Sequence, residues 1–241
     1  MRLILASASP RRADLLRAAG FDFETVAADV DESVRPNESP AEYVQRLASD
    51  KSAAVSTRVA SSFSRMNIDA AGRSVPAEGK GSDSNPAEAG RHGAGRPGGG
   101  RLGGREGHDA IVIGADTAVV LDGVILGKPR DDKESVAMLR QLSGRRHEVM
   151  TGISLRAGSR ERRHVETTAV YFATLSDDDV AWYVRSGEGR DKAGAYAIQG
   201  LASRFIPRIE GSYANVVGLP IAALCELIRS IEAGSAAPFN G

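Results

Sequence analysis

The chain has 241 residues, 41% of them hydrophobic and 26% charged, a composition that suits a globular protein with one substantial core. Its 31 basic side chains balance 31 acidic ones, so bulk electrostatics argue against nucleic acid or an anionic membrane as partner, and any bound anion must be captured locally. The single Cys225 excludes an internal disulfide and a CxxC metal site; with no signal-like leader and no run of about 18 apolar residues, a cytoplasmic location is expected.

Residues 3–6 have the character of a short buried strand. A helix is predicted over 10–19, with Leu15 and Leu16 inward and Gly20 as its stop, and 21–28 is strand-like again. Ser39-Pro40 places a capping hydroxyl before a proline at a first helical position, and the helical pattern runs on to about 60. Between 61 and 108, Gly, Ser, Pro and Arg dominate; such a segment cannot bury enough surface to offset its ordering entropy, and it reads as a disordered insertion in a single domain spanning 1–241. It contains a formal GxGxxG at Gly93, Gly95 and Gly98, but no strand precedes it and Pro97 lies inside it, so a dinucleotide site is set aside.

The near-continuous apolar run 111–121 is expected of a strand covered on both faces, and Asp122-Gly123 signals a tight turn into a second strand at 124–126. A helix follows over 131–142, ending near Gly144. Residues 148–155 and 165–172 alternate as paired strands, and 176–185 reads as a helix with an acidic first turn. Residues 203–209 and 213–217 around Glu210-Gly211 suggest another hairpin, and 219–231 an amphipathic helix with Cys225 as a small core residue. Together these elements imply an α/β fold, a mixed twisted sheet with flanking helices.

Four features carry possible chemistry. Ser9-Pro10-Arg11-Arg12 puts a hydroxyl and two guanidiniums in the first turn of a helix, where free N–H groups favour an anion but arginine opposes the dipole; the cluster is either a phosphate site or a Ser9 cap with two solvated arginines. Asp116 interrupts an apolar strand, where a lone carboxylate is costly, so it is either a strand-end aspartate or a paired general base or metal ligand. Lys51 shares a helical stripe with Val44, Leu47, Ala48 and Val55 and therefore either snorkels or faces a cleft. Lys128 and Lys192 stand beside backbone-constraining residues, and Glu32 is weak alone. His92, His108, His147 and His164 lack metal-ligand spacing, Arg160 to Arg163 reads as a solvated strand end, and there is neither a GxxxxGK[ST] loop nor a GxSxG elbow.

Taken in order, Ser7-Ala8-Ser9-Pro10-Arg11-Arg12, Val30-Asp31-Glu32, Arg46-Leu47 through Lys51, Ile113-Gly114-Ala115-Asp116-Thr117, Leu126-Gly127-Lys128-Pro129, Leu142-Ser143-Gly144, the run from Asp191 to Gly200 and Val217-Gly218-Leu219-Pro220 resemble the Maf family of nucleoside triphosphate pyrophosphatases. The resemblance implies a fold related to the inosine-triphosphate pyrophosphatases, with two lobes around a cleft, and often a homodimer. It implies hydrolysis of a nucleoside triphosphate substrate to monophosphate and pyrophosphate with a divalent metal cation, Mg²⁺ or Mn²⁺, held by Glu32 and Asp116. It assigns Asp116 as proton acceptor and associates Arg11, Thr117 and Gln199 with base selection. Lys51, Lys128 and Lys192 match basic residues of the substrate cleft, which Ser9 and Arg12 join. The Ser-Pro-Arg-Arg, Gly-Ala-Asp-Thr and Ala-Tyr-Ala-Ile-Gln-Gly segments are similar to the dTTP- and UTP-preferring members rather than the 7-methyl-GTP type. Two other readings stand beside it. A non-catalytic nucleotide sensor regulating septum formation would have no need of Asp116 as a base, and a nucleic-acid arm at 61–108 is weakened by that segment's acidic residues.

Overall fold

Seven strands form one sheet in the order β2-β1-β3-β5-β6-β7, with β4 paired to β3. In chain order the elements of this computed structural model are β1 (Arg2–Leu5), α1 (Pro10–Ala18), β2 (Phe23–Thr25), α2 (Pro40–Ala71), β3 (Ala110–Leu121), β4 (Val124–Leu126), α3 (Asp132–Leu142), β5 (Arg146–Ala157), β6 (Arg160–Tyr171), α4 (Asp177–Ser186), β7 (Arg208–Glu210), α5 (Tyr213–Val217) and α6 (Ile221–Glu232), with 3₁₀ turns at Ala193–Ala195 and Leu201–Phe205. The structure describes residues 2–71 and 110–233, with side chains described as far as residue 61 in α2.

β1 pairs in parallel with both β2 and β3, while the β3, β5, β6 and β7 pairings are antiparallel. The chain leaves β1 through α1 to reach β2 on one side and returns through α2 to β3 on the other. The carboxyl end of β1 is therefore the point where strand order reverses, the place where open α/β sheets hold ligands. β1 covers residues 110–113 of β3 and β4 covers 119–121 along the same edge. Among the described residues, 114–118 between them have no ladder partner on that side, and this break in the sheet is where the site forms.

Side-chain alternation along β3 divides the core. Val112, Ala118 and Val120 face α2, packing with Ile4, Val44 and Val55. Ile111, Ile113 and Ala115 face the opposite layer, where α6 contributes Leu224, Leu227, Ile228 and Ile231. Further along the same face, Val119 and Leu121 join a second cluster with Leu139, Leu142, Val180, Tyr183 and Phe205. The two clusters are the two lobes of apolar packing on that face, and the break in β3 pairing lies between them.

Glycine controls how closely α2 can lie on the sheet. A Cβ at Gly114 would fall 2.0 Å from the Ala48 carbonyl oxygen, and one at Gly152 would fall 2.3 Å from that of Val44. Both positions are on the α2 side of the sheet, so the helix backbone rests where side chains would otherwise stand.

Most elements follow the sequence pattern, including the Asp122-Gly123 turn, whose residues both take positive φ as its geometry requires. Three expectations are corrected. Helix α2 continues to Ala71, so residues 61–71 are helical rather than part of a disordered insertion; positions 41–71 hold neither glycine nor proline, and nothing stops the helix before Gly72. The rest of the 61–108 segment lies outside the described residues. The second hairpin is absent: only Arg208–Glu210 is a strand, and Tyr213–Val217 is a helix capped by the Ser212 side chain. The cause is tertiary, because fully buried Asn215 donates through Nδ2 to Val149 O and Thr168 Oγ1 while its own carbonyl accepts from Thr151. Cys225 is partly exposed rather than a core residue.

Because α2 touches the sheet through missing side chains, Gly114→Ala is expected to lower the unfolding free energy by about 2 kcal/mol or more, measured by urea denaturation. Gly127→Ala, whose added Cβ meets nothing within 4 Å, should stay within about 0.5 kcal/mol of the parent.

Candidate active site

A cavity of about 730 Å³ opens at the break in β3 pairing, within the range of small-molecule sites. All ten residues predicted from sequence line it: Ser9, Arg11, Arg12, Glu32, Lys51, Asp116, Thr117, Lys128, Lys192 and Gln199. Five cations against three carboxylates (Glu32, Asp116 and Asp191) make it a local anion trap in a chain with no net charge.

Its centre is a buried ion cluster. Asp116 projects from the α2 face of β3, opposite Gly152 on the neighbouring strand, and Lys51 comes down to it from α2. Lys51 Nζ lies 2.7 Å from Asp116 Oδ1 and 2.6 Å from Glu32 Oε1. Lys51 and Asp116 are 7% and 8% exposed, so the cleft reading of Lys51 holds and the snorkelling one does not. Burial works to raise the Glu32 pKa, but the Lys51 hydrogen bond, followed by the charges of Lys51, Lys128 and Arg12, outweighs it and holds the carboxyl below its usual value.

Arg12 occupies the other face. Its Nε donates to Gly218 O at 2.8 Å, Nη1 to Ser7 Oγ at 3.2 Å and Nη2 to Thr117 Oγ1 at 3.0 Å. Burial lowers its pKa, with Asp116 and Glu32 opposing that shift and Arg11 adding to it. Three of its five N–H groups are thus committed to protein, which makes it an anchor between α1, β3 and the segment before α6 as well as a source of charge. Thr117 is similarly engaged, its hydroxyl also 2.9 Å from that of Thr151. Arg11 is half-buried; desolvation lowers its pKa and Asp191 works against that. Ser9 makes no side-chain cap bond, so the capping reading fails; its amide donates to Ser7 Oγ instead. Lys128 is exposed at the rim, Lys192 pairs with Asp191, and the exposed Gln199 amide is unbonded among the described residues.

Sequence reasoning missed the residues that hold the Glu32 loop. Tyr43 Oη donates to Glu32 O at 3.0 Å, and its own pKa is pushed up to about 12 by burial and by Asp116 and Glu32. Arg46 donates to both Glu38 carboxylate oxygens at 2.5 and 2.9 Å and to Ser33 O at 2.9 Å, and that pairing takes Glu38 down to about 2. Tyr43 and Arg46 stand three apart on α2, a spacing that places them on one side of the helix, and Arg46 also opens one of the family-like segments.

Two carboxylates converging on one ammonium form a hard oxygen pair suited to Mg²⁺ or Mn²⁺, with Lys51 standing where a cation is favoured. No group of three or more His, Cys, Asp or Glu side chains that would hold a metal occurs among the described residues. Glu32 and Asp116 fit the usual magnesium arrangement, in which one or two carboxylates are completed by substrate phosphates and water.

The family model for Maf-like proteins matches residues 2–231. The chain belongs to the Maf family. A dTTP/UTP pyrophosphatase of Hahella chejuensis is 40% identical over 227 residues, covering 94% of this chain and 89% of that protein. Those of Symbiobacterium thermophilum and Vibrio cholerae are 42% and 39% identical, covering 91% and 95% of this chain and 89% and 97% of theirs. The Staphylococcus aureus Ham1 protein aligns with 96% of this chain and 100% of its own at 12% identity and a TM-score of 0.42, too slight a likeness to argue from.

The cavity lining includes Tyr196, whose hydroxyl is 2.8 Å from His147 Nε2. His147 is 2% exposed and packs edge-on against Phe172 and Tyr196. Burial, aided by Arg146, lowers its pKa from 6.5 to about 4. The unfolded chain therefore takes up a proton below about 6.5, which the folded chain refuses until about 4, so stability falls as pH drops through that window. Between pH 7 and pH 5 this residue should account for a loss of about 2 kcal/mol. In urea titrations at the two pH values, His147→Phe should show a correspondingly smaller loss.

Proposed function

We propose that this protein hydrolyses dTTP and UTP to the nucleoside monophosphate and pyrophosphate. The observation that carries the reading is the Lys51-bridged pair of Asp116 and Glu32 inside a cavity lined by four further cations, in a chain about 40% identical to relatives named for that activity. No second reading has a comparable observation in its favour, since a nucleotide sensor has no need of a buried carboxylate aimed into its cavity.

The triphosphate lies along Arg11, Lys128 and Lys192, with the first turn of α1 offering its free N–H groups to a phosphate oxygen. Water attacks the α-phosphorus, the α–β bridging bond breaks and pyrophosphate leaves. Asp116 serves as general base: Lys51 binds Oδ1, which leaves Oδ2 to orient the water and take its proton. Lys51 and Arg12 then face charge developing on the phosphoryl oxygens from fixed, desolvated positions, where electrostatic stabilisation is strongest. A divalent cation held by Glu32 and Asp116 supplies charge neutralisation at the phosphate oxygens when bound. Gln199 is free to meet the base, its amide offering a donor and an acceptor to the uracil or thymine edge. Thr117, its hydroxyl already bonded to Arg12 and Thr151, holds Arg12 in place. The reading carries with it a cytoplasmic location; no helix among the described residues is long and apolar enough to cross a membrane.

Asp116→Asn tests the assignment. Pyrophosphate release from dTTP and UTP with Mg²⁺ should fall by at least about 10²-fold in kcat while nucleotide still binds. Near-parental turnover in that variant would remove Asp116 from the chemistry.

A further inference from the structure

Gln199 stands in a tight turn closed by the Gly200 amide donating to Ala197 O at 3.2 Å, and both feet of that turn are held by side chains outside the cavity. At the first foot, the Ala197 amide donates to Tyr183 Oη at 3.1 Å. At the second, the Leu201 amide donates to Glu188 Oε1 at 2.9 Å and the Ala202 amide to Oε2 at 3.4 Å. Tyr183 Oη itself donates to Glu188 Oε2 at 2.8 Å, which joins the two anchors into one unit. The glycine at 200 belongs to the same device: a Cβ there would lie 1.8 Å from Glu188 Oε1, so the carboxylate sits in space left by a missing side chain. Gly200 has a negative φ, and a Cβ added there would have to push the end of the Glu188 side chain aside. Gly189 presses the chain after α4 onto the segment before the turn, since its Cβ would meet Ala195 O at 2.1 Å. Tyr183 is 1% exposed, and burial together with the Glu188 bond keeps its phenol protonated and able to donate.

This architecture answers a difficulty in base selection. A glutamine amide has a donor and an acceptor at interchangeable ends, so flipped by half a turn it suits cytosine as well as uracil. Free rotation at Gln199 would give no choice between them, and a selective site needs the amide and the backbone around it fixed relative to the base. We propose that Tyr183 and Glu188 are positioning residues for pyrimidine choice, holding the 197–202 segment so that Gln199 meets the uracil or thymine edge and excludes cytosine. The inference rests on the reading given above, in which Gln199 faces the base of dTTP or UTP.

Steady-state kinetics with UTP, dTTP and CTP on Glu188→Ala, Tyr183→Phe, Gly200→Ala and Gln199→Ala test it. Glu188→Ala and Gly200→Ala should each lower the UTP-over-CTP ratio of kcat/KM by roughly tenfold, chiefly by raising KM for UTP, with kcat for UTP kept within about threefold. Tyr183→Phe should move the ratio the same way by less, and it stands in if Glu188→Ala does not fold. In the Glu188→Ala background, Gly200→Ala should add nothing, because the carboxylate it displaces is gone. An unchanged ratio in the Glu188 and Tyr183 variants, or a loss of kcat alone, while Gln199→Ala loses selectivity, overturns the positioning role and leaves base reading by Gln199 standing. An unchanged ratio in Gln199→Ala overturns both.

Discussion

The close approach of helix α2 to the sheet is the constraint on which the site depends. The helix backbone at Val44 and Ala48 rests over Gly152 and Gly114, and Gly152 is the cross-strand neighbour of Asp116. Lys51 follows Ala48 by three positions, on the same stripe of the helix, and so descends directly onto that carboxylate. With ordinary side chains at the two glycines the helix would have to stand further off, and the ammonium and carboxylate would separate into two buried charges, each costing several kcal/mol. Packing and electrostatics are therefore one problem at this point, solved by the absence of two side chains.

The ion cluster remains incomplete in a useful way. One ammonium bridges two carboxylates at the centre, where Lys128 and Arg12 act on Glu32 through charge alone, while Arg11 and Lys192 on the surrounding wall have Asp191 as their cavity carboxylate. Such separation of charge within one cavity is poor for a protein that needs only stability, because replacing buried ion pairs by apolar packing is often neutral or stabilising. It suits a ligand with opposite charges at neighbouring points, and a metal-bound phosphate chain is such a ligand.

Much of this was legible in the sequence, for reasons that differ by residue. Lys51 stood out because it shares a helical stripe with four apolar residues, which left it either snorkelling or facing a cleft, and its own burial decides for the cleft. Asp116 was conspicuous because a carboxylate in a two-sided buried strand needs one. Gly200 could be matched to a motif, but its contact with Glu188 is a relation between the end of α4 and a turn twelve residues later, which no local period encodes. The Arg46 clamp on Glu38 and the Tyr43 bond to the Glu32 carbonyl escaped for the same reason: they join a helix to an irregular loop. The expected hairpin around Glu210-Gly211 failed because Asn215, in its expected second arm, makes its bonds to β5 and β6 from a helix. Helix α2 outruns its expected end because residues 61–71 hold neither glycine nor proline, although the glycine- and proline-rich run that begins at Gly72 dominates the composition of 61–108.

The break in β3 pairing explains why residues from opposite faces of one strand can act together. In a continuous sheet Asp116 and Thr117, adjacent in sequence, would point into separate layers and share no solvent. Here β1 ends at residue 113 of β3 and β4 begins at 119, so the strand between them presents an open edge from which both faces are reached. Asp116 brings Lys51 and Glu32 from one side, Thr117 brings Arg12 from the other, and the first turn of α1 lines the cavity with them. The topology that reverses strand order at β1 thus does more than leave a crevice: it lets one strand segment, paired to β5 on one edge and open on the other, join two otherwise separate layers into a single charged cavity.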